Sequence, residues 1–261
     1  MCPNRINLAA GLALMILSIV GTASSTRSAP DEKVTCTGVW DYTQYAQKIL
    51  AACTELLDKT SDPTLRADAY QVRARAYLAL GDYAHAVAAL DLAITYPGDS
   101  SDALQATRLN DRAMAYYHSG DYNSAIDDLT RIIQWNVKPL YEPIYRNRGL
   151  VYLAKKDFTR AIDDLTTYLD IKPEDALTYY YRAVAHIGLG DDDKAIADLS
   201  ESIRLTSGAE FADFNTRGAA YYRKKMYEEA VADFRAALAL RPDSETAKAN
   251  LEAAQKALSA K

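Results

Sequence analysis

Apolar residues recur at every third or fourth position along most of the chain, in paired segments separated by short polar turns. Residues 145–154 and 158–171 form one such pair, in which aliphatic and aromatic residues are interspersed with charged ones. This spacing places the apolar side chains on one face of an α-helix. The pattern therefore predicts an all-α fold built from pairs of amphipathic helices of roughly 14 residues each.

The paired segments repeat along the sequence. The turn Gly81-Asp82-Tyr83 aligns with Gly120-Asp121-Tyr122, and an alanine that follows each turn recurs at intervals of 39, 36, 34 and 35 residues. This alanine column comprises Ala86, Ala125, Ala161, Ala195 and Ala230. An arginine column with the same intervals comprises Arg73, Arg112, Arg148, Arg182 and Arg217. Two columns of different residue types with one spacing indicate five structural repeats.

The third repeat shows a characteristic set of aromatic, small and helix-ending residues. These are Tyr145, Gly149, Tyr152, Ala161, Leu165 and Pro173. Over about residues 66–242 the chain resembles the tetratricopeptide repeat family, whose unit is a 34-residue helix–turn–helix. The resemblance implies that the repeats stack into a right-handed superhelix, an α-α solenoid.

Both ends of such an array need a cover, because a single repeat cannot bury its apolar face alone. We expect an amino-terminal segment with a capping helix, a degenerate half-repeat, at residues 24–64. The five repeats then occupy residues 65–242, and an amphipathic helix at residues 243–261 caps the other end.

The first residues have the pattern of a secretory signal. One positive charge precedes an apolar run at residues 8–20, which ends at the small residues Gly21-Thr22-Ala23. We expect cleavage after Ala23, which removes residues 1–23 and exports the mature chain, in a bacterium to the periplasm, without stable membrane insertion. The alternative is an uncleaved anchor, although the run is shorter than the ~20 apolar residues that cross a bilayer.

Composition and charge narrow the function classes. Hydrophobic residues make up 49% and charged residues 25% of the 261 residues, which excludes a disordered or collagen-like chain. Thirty basic and 35 acidic residues give a formal charge of -5, and no basic cluster stands out. We therefore expect no nucleic-acid partner.

Two of the three cysteines, Cys36 and Cys53, remain after removal of the predicted signal. In an oxidising compartment an even pair predicts a disulfide. On a loop-entropy model it contributes about 3 kcal/mol, although strain can remove much of that. Two free thiols, with Cys53 as a small core residue, are the alternative.

The arginine column has a matching carboxylate column in the second helix of four repeats. Its members are Asp128, Asp164, Asp198 and Asp233. A guanidinium and a carboxylate at fixed positions of successive helices predict structural ion pairs that involve Arg112, Arg148, Arg182 and Arg217. An anion-binding stripe is the alternative. Arg73 is the exception, because Ala89 replaces the aspartate of its repeat. If any member of the column is free to bind an anionic ligand, it is Arg73.

The resemblance also implies where a partner binds, because the first helix of each repeat lines a concave groove in this family. Carried over by repeat position, the candidate groove residues are Gln71, Arg75, Asn110, Met114, Tyr117, Arg146, Leu150, Leu153, Tyr180, Ile187, Asn215 and Tyr222. We expect Tyr117, Leu150, Leu153, Tyr180 and Ile187 to form a continuous apolar patch that anchors a peptide. The alternative is that these five side chains bury one another.

No constellation for catalysis is visible. The three histidines, His85, His118 and His186, occupy different positions in different repeats, and there is no zinc-protease, phosphate-loop or dinucleotide motif. We expect no enzyme activity, no metal and no cofactor.

The sequence thus predicts an exported, non-catalytic adaptor that binds a protein or peptide in its groove. A self-associating scaffold of the cell envelope and an accessory subunit of an enzyme are the alternatives. The identity of the partner and the oligomeric state are left open by the sequence.

Overall fold

The computed structural model describes residues 35–36, 38, 41–96, 101–136 and 141–260. These residues form twelve α-helices and no strand, which confirms the all-α prediction. The helices are α1 (Tyr42–Lys59), α2 (Pro63–Ala79), α3 (Tyr83–Thr95), α4 (Asp102–Ser119), α5 (Tyr122–Trp135), α6 (Tyr141–Ala154), α7 (Phe158–Ile171), α8 (Ala176–Leu189), α9 (Asp192–Leu205), α10 (Phe211–Arg223), α11 (Tyr227–Leu240) and α12 (Glu245–Ser259). None of these twelve is long and apolar enough to cross a membrane. The predicted signal at residues 1–23 lies outside the described residues.

The helices fall into two compact units, with α1 to α6 in the amino-terminal unit and α7 to α12 in the carboxy-terminal unit. Within each unit, helices that follow one another in sequence pack together. The first helices of neighbouring repeats also touch, as α2 with α4 and α4 with α6. This places the first helices of consecutive repeats side by side within a unit.

The repeated turns between the two helices of a repeat explain why the chain reverses there. Asp82, Asp121, Asp157 and Asp191 each cap the following helix by accepting a hydrogen bond from a backbone N–H three residues later. The residue before the cap lies in the left-handed region, with φ of 74° at Gly81. Lys156 and Lys225 hold the same turn at φ 62°, at a cost of about 1 kcal/mol each relative to glycine.

Close helix packing depends on the small residues that precede the turns. At Gly218 on α10, a Cβ atom would lie 2.9 Å from the Phe234 ring and 3.2 Å from Asp233 Cβ, both on α11. A larger side chain there would separate the two helices. Ala219, Ala230 and Phe234 form the core of this pair, and Leu251 and Leu258 of α12 cover its end.

Cys36 and Cys53 meet in the amino-terminal unit. Their sulfur atoms lie 2.09 Å apart, and their Cα atoms lie 4.6 Å apart. Cys53 is fully buried on α1 beside Ile49, and Cys36 is 3% exposed. Cys36 is in this way positioned against α1.

The disulfide itself remains a prediction that thiol titration tests. The exported protein should show no reactive thiol when it is denatured without reductant. Cys53→Ser should lower the free energy of unfolding by about 2 kcal/mol while helicity is retained, because the unfolded chain loses a covalent constraint. Two reactive thiols in protein purified from the cell envelope would contradict the pairing.

Candidate functional site

Three members of the arginine column are paired with the aspartate of their own repeat. Arg217 on α10 donates from Nε to Asp233 Oδ2 at 2.8 Å and from Nη2 to Oδ1 at 2.8 Å. Arg112 donates to Asp128, and Arg182 donates to Asp198, through the same two nitrogens at 2.7–2.9 Å. A planar guanidinium satisfies both carboxylate oxygens at once in this geometry. Each of these three ion pairs therefore links the first helix of a repeat to the second helix of the same repeat.

The remaining nitrogen of each arginine reaches back to the preceding repeat. Nη1 of Arg182 donates to Thr166 on α7 at 3.1 Å, and Nη1 of Arg217 donates to Ser200 on α9 at 2.9 Å. In the amino-terminal unit the corresponding acceptors are Asp91 for Arg112 and Thr130 for Arg148. The guanidinium groups of Arg112, Arg182 and Arg217 thus each connect three helices. The hydrogen bonds of Asp233 raise the pKa of Arg217 further, so this cation stays charged.

Two members of the column differ from the others. Arg148 lies on α6 and Asp164 is buried on α7, and their pairing remains a prediction. Arg73 lies on α2, and its repeat has the buried Ala89 in place of the aspartate. Its Nε is buried and has no hydrogen-bond partner among the described residues, and its guanidinium lies 5.9 Å from the centre of the Tyr77 ring.

The polar groove candidates of the amino-terminal unit bond to neighbouring first helices. Gln71 and Arg75 on α2 both donate to Asp111 Oδ2 on α4, at 3.1 Å and 2.8 Å. Asn110 accepts a hydrogen bond from Asn147 on α6 at 2.8 Å. In the carboxy-terminal unit, Asn215 accepts one from Asn250 on α12 at 3.2 Å. These side chains hold successive repeats together and leave only part of their hydrogen-bonding capacity for a partner.

The remaining candidates differ in exposure. Arg146, Tyr117, Ile187 and Tyr222 are half-buried, and Met114 is 9% exposed. Within the amino-terminal unit the Tyr117 ring lies edge-on to His118, with the ring centres 5.1 Å apart.

The expected open apolar patch is wrong for three of its five residues. Leu150, Leu153 and Tyr180 are each 6% exposed. Large apolar side chains gain free energy by leaving water, and the Tyr180 ring packs edge-on against Tyr181 with the ring centres 5.9 Å apart. Leu150, Leu153 and Tyr180 are thus buried, as the alternative expects, whereas burial of the five side chains against one another remains a prediction.

The carboxy-terminal unit contains a cavity of about 280 Å³ between α8, α9 and the start of α10. We call it the α8–α10 cavity. It is lined by Ala176, Leu177, Tyr180, Ser202, Thr206, Glu210, Ala212 and Asp213. Ala176, Leu177, Glu210 and Ala212 are half-buried and form its mouth, whereas Ser202 and Asp213 are 2% exposed and form its floor. The walls are mostly apolar, and the floor holds a carboxylate.

Among the described residues, Asp213 has one side-chain hydrogen bond. Its Oδ2 lies 2.8 Å from Ser202 Oγ, and Ser202 Oγ also lies 2.9 Å from the carbonyl oxygen of Ala176. A hydroxyl has one hydrogen to donate, so it cannot serve both acceptors while Asp213 is ionised. A protonated Asp213 can donate to Ser202, which then donates to Ala176. Burial raises the pKa of Asp213 from 3.8 to about 6, against the lowering effect of the Ser202 hydrogen bond.

Asp213 was not among the residues that the sequence singled out, although a signal was available. It occupies the third position of its first helix, two residues before the candidate Asn215. The equivalent residues in the other repeats are Ala69, Arg108, Ile144 and Thr178, and all five are at most 2% exposed. A charged residue in a column that faces the core indicates a buried carboxylate.

Profiles described as tetratricopeptide repeat match residues 67–99, 110–176, 146–210 and 214–244, which together span more than half of the chain. No curated protein matches the sequence.

Solved structures resemble the fold at low identity. MamA 41-end from Desulfovibrio magneticus RS-1 has a TM-score of 0.61 and 20% identity, covering 69% of this chain and 97% of that one. YrrB, described as a TPR protein with an unusual peptide-binding site, has a TM-score of 0.60 and 18% identity, covering 77% of this chain and 97% of that one. The Cut9–Hcn1 complex has a TM-score of 0.59 and 18% identity, covering 81% of this chain and 40% of that one. The profiles, the repeat columns and the helix pairs agree, and the chain belongs to the tetratricopeptide repeat family.

Proposed function

We propose that this chain is an exported, non-catalytic adaptor that binds a segment of another protein along the first helices of its repeats. The α8–α10 cavity is the observation that carries the proposal. Leu177 and Tyr180 occupy the second and fifth positions of α8, and Ala212 occupies the second position of α10. These are groove positions of the family, and here they surround an open depression of a size that takes one side chain.

The groove positions that remain accessible support the same function. Tyr117 and Arg75 are half-buried in the amino-terminal unit, as are Ile187 and Tyr222 in the carboxy-terminal unit. Tyrosine presents apolar area and a hydroxyl at a low entropic cost, which suits peptide recognition. YrrB, which shares the fold, is described as having a peptide-binding site.

Export is supported by the amino-terminal pattern of residues 1–23 and by the approach of Cys36 to Cys53. A disulfide persists in oxidising compartments and is rare in the cytosol. The proposed adaptor therefore works outside the cytoplasm, in a bacterium within the periplasm.

Capture from a cell-envelope extract tests the groove. The chain without residues 1–23 serves as bait, and Leu177→Asp places a charge at the mouth of the α8–α10 cavity. We expect this substitution to reduce capture of cross-linked partners about tenfold or more, because a carboxylate at an apolar contact must be desolvated on binding. Leu177 is half-buried, so the helical signal and the melting temperature should change little.

Leu92→Asp is the matched control, because Leu92 is 43% exposed on α3, a second helix. It should leave capture unchanged. Equal capture by both folded variants would contradict the groove. A concentration-dependent mass in light scattering, with no captured partner, would favour the self-associating scaffold instead.

A further inference from the structure

The geometry points to a basic occupant: the α8–α10 cavity receives the side chain of a lysine from the bound segment, with the Asp213 carboxylate as its counter-ion. This inference rests on the proposed function, since the lysine belongs to the partner segment. It adds a chemical requirement that the fold alone does not imply.

The shape of the cavity fits an alkyl chain that ends in a charge. Its walls at Ala176, Leu177 and Ala212 are apolar, and the polar atoms of Ser202 and Asp213 are concentrated at the floor. A volume of about 280 Å³ accommodates four methylene groups and an ammonium. The stem of a lysine would cover the walls, and its ammonium would reach the floor.

Among the described residues, no cation forms an ion pair with Asp213. The charge of Arg217, one turn further along α10, lowers the pKa of Asp213, but the hydrogen bonds of Arg217 go to Asp233 and Ser200. Helix α9 contributes the neutral Ser202, and α8 contributes Tyr180, whose side chain is hydrogen-bonded to Thr216. Glu210 at the mouth adds a second negative charge. The cavity is thus a buried acidic site that lacks its positive partner.

An ammonium suits the floor better than a guanidinium does. One oxygen of Asp213, Oδ2, is engaged by Ser202, and Oδ1 has no hydrogen-bond partner among the described residues. A guanidinium fork needs both carboxylate oxygens for its paired hydrogen bonds, as Arg217 shows with Asp233. An ammonium is a compact point charge that can donate to Oδ1 and to a neighbouring oxygen.

Binding of the ammonium should displace a proton from Asp213 at mildly acidic pH. The charged or titratable groups around Asp213 are Glu210 before α10, Arg217 on α10 and Tyr180 on α8. Tyr180 has a pKa raised above its ordinary value by burial, and Arg217 stays charged, so neither titrates near pH 6. Affinity should therefore fall as the pH drops through the pKa of Asp213, about 6.

Two short peptides provide the probes. Both are acetylated and amidated, and both have alanines around a central residue. That residue is lysine in one peptide. In the other it is norleucine, which keeps the alkyl stem but lacks the ammonium. Nuclear magnetic resonance of the chain without residues 1–23, at about pH 7.5, should show the lysine peptide shifting the backbone amide signals of Leu177, Ser202 and Ala212 with millimolar affinity. We expect affinity to fall about tenfold or more with norleucine, with Asp213→Asn or at about pH 5.

Asp193→Asn is the matched control, since the Asp193 side chain is 80% exposed on the first turn of α9. It should leave the affinity unchanged. Equal affinity of the lysine and norleucine peptides, tighter binding of an arginine peptide, or no shift at the cavity would overturn the inference. If envelope capture requires Leu177 but is unchanged by Asp213→Asn, the lysine pocket fails and the groove stands. If capture requires neither residue, the proposed function fails as well.

Discussion

Arg217→Ala should lower the free energy of unfolding by about 3 kcal/mol. The substitution removes both hydrogen bonds to Asp233 and leaves that carboxylate, whose side chain is 8% exposed, without a counter-ion in the interior. Removing one partner of a buried ion pair lowers the free energy of unfolding by more than the intact pair adds to it, because the remaining charge stays buried without a counter-ion. The Arg217 side chain is 18% exposed, which places the loss at the lower end of the range for buried pairs. Urea titration of the variant measures the loss directly.

The same column provides the control. Arg73→Ala removes a guanidinium whose repeat has Ala89 in place of the aspartate. Among the described residues this guanidinium lies over the Tyr77 ring and has no ion pair, so the cost should stay below about 1 kcal/mol. The double variant Arg217→Ala with Asp233→Ala should recover part of the loss, because it leaves no buried charge. Equal unfolding midpoints for Arg73→Ala and Arg217→Ala would contradict the structural role of the pairs.

Repeat spacing predicts intra-repeat pairing because both partners recur at fixed positions. Arg182 and Asp198 are separated by 16 residues, as are Arg217 and Asp233, and a helix pair brings such positions together. The additional hydrogen-bond acceptor that each guanidinium has in the preceding repeat could not be predicted in this way. Thr166 and Ser200 belong to the preceding repeat, and whether they reach the arginine depends on how two repeats stack.

The exposure of the candidate groove residues could not be predicted from their repeat positions. Family positions select candidate residues on α6 and α8, but they do not determine how deeply each side chain is buried. The side chains of Leu150 and Tyr180 are large and pack against residues near their own helices. Both are only 6% exposed. The depression opens beside small residues instead, at Ala176 and Ala212. Side-chain volume therefore determines which of these positions are buried and where the cavity opens.

Asp213→Asn should raise the stability of the folded chain at neutral pH by about 3 kcal/mol. The folded protein holds the Asp213 proton with a pKa of about 6, whereas the ordinary value for this carboxyl is 3.8. Between these values the folded state binds more protons than the unfolded state, so wild-type stability falls as the pH rises. The penalty is absent below about pH 4 and complete above about pH 7, and the difference in pKa corresponds to about 3 kcal/mol. Asparagine removes the charge, and its amide N–H can donate to Ser202 as the protonated carboxyl does.

Urea titrations at about pH 4 and about pH 7.5 separate this electrostatic gain from a packing effect, because only the electrostatic gain vanishes at the lower pH. Asp198→Asn is the matched control, since Asp198 is also buried but carries Arg182 as its partner, and this substitution should destabilise the chain. Opposite signs for two buried Asp→Asn substitutions would establish that Asp213 is a destabilising charge in the empty cavity. A cation that enters the cavity would then recover the free energy that the buried carboxylate costs, which links the stability of α10 to occupancy. An asparagine variant no more stable than wild type at either pH would show that Asp213 is already compensated, and the reason for expecting a basic occupant would disappear.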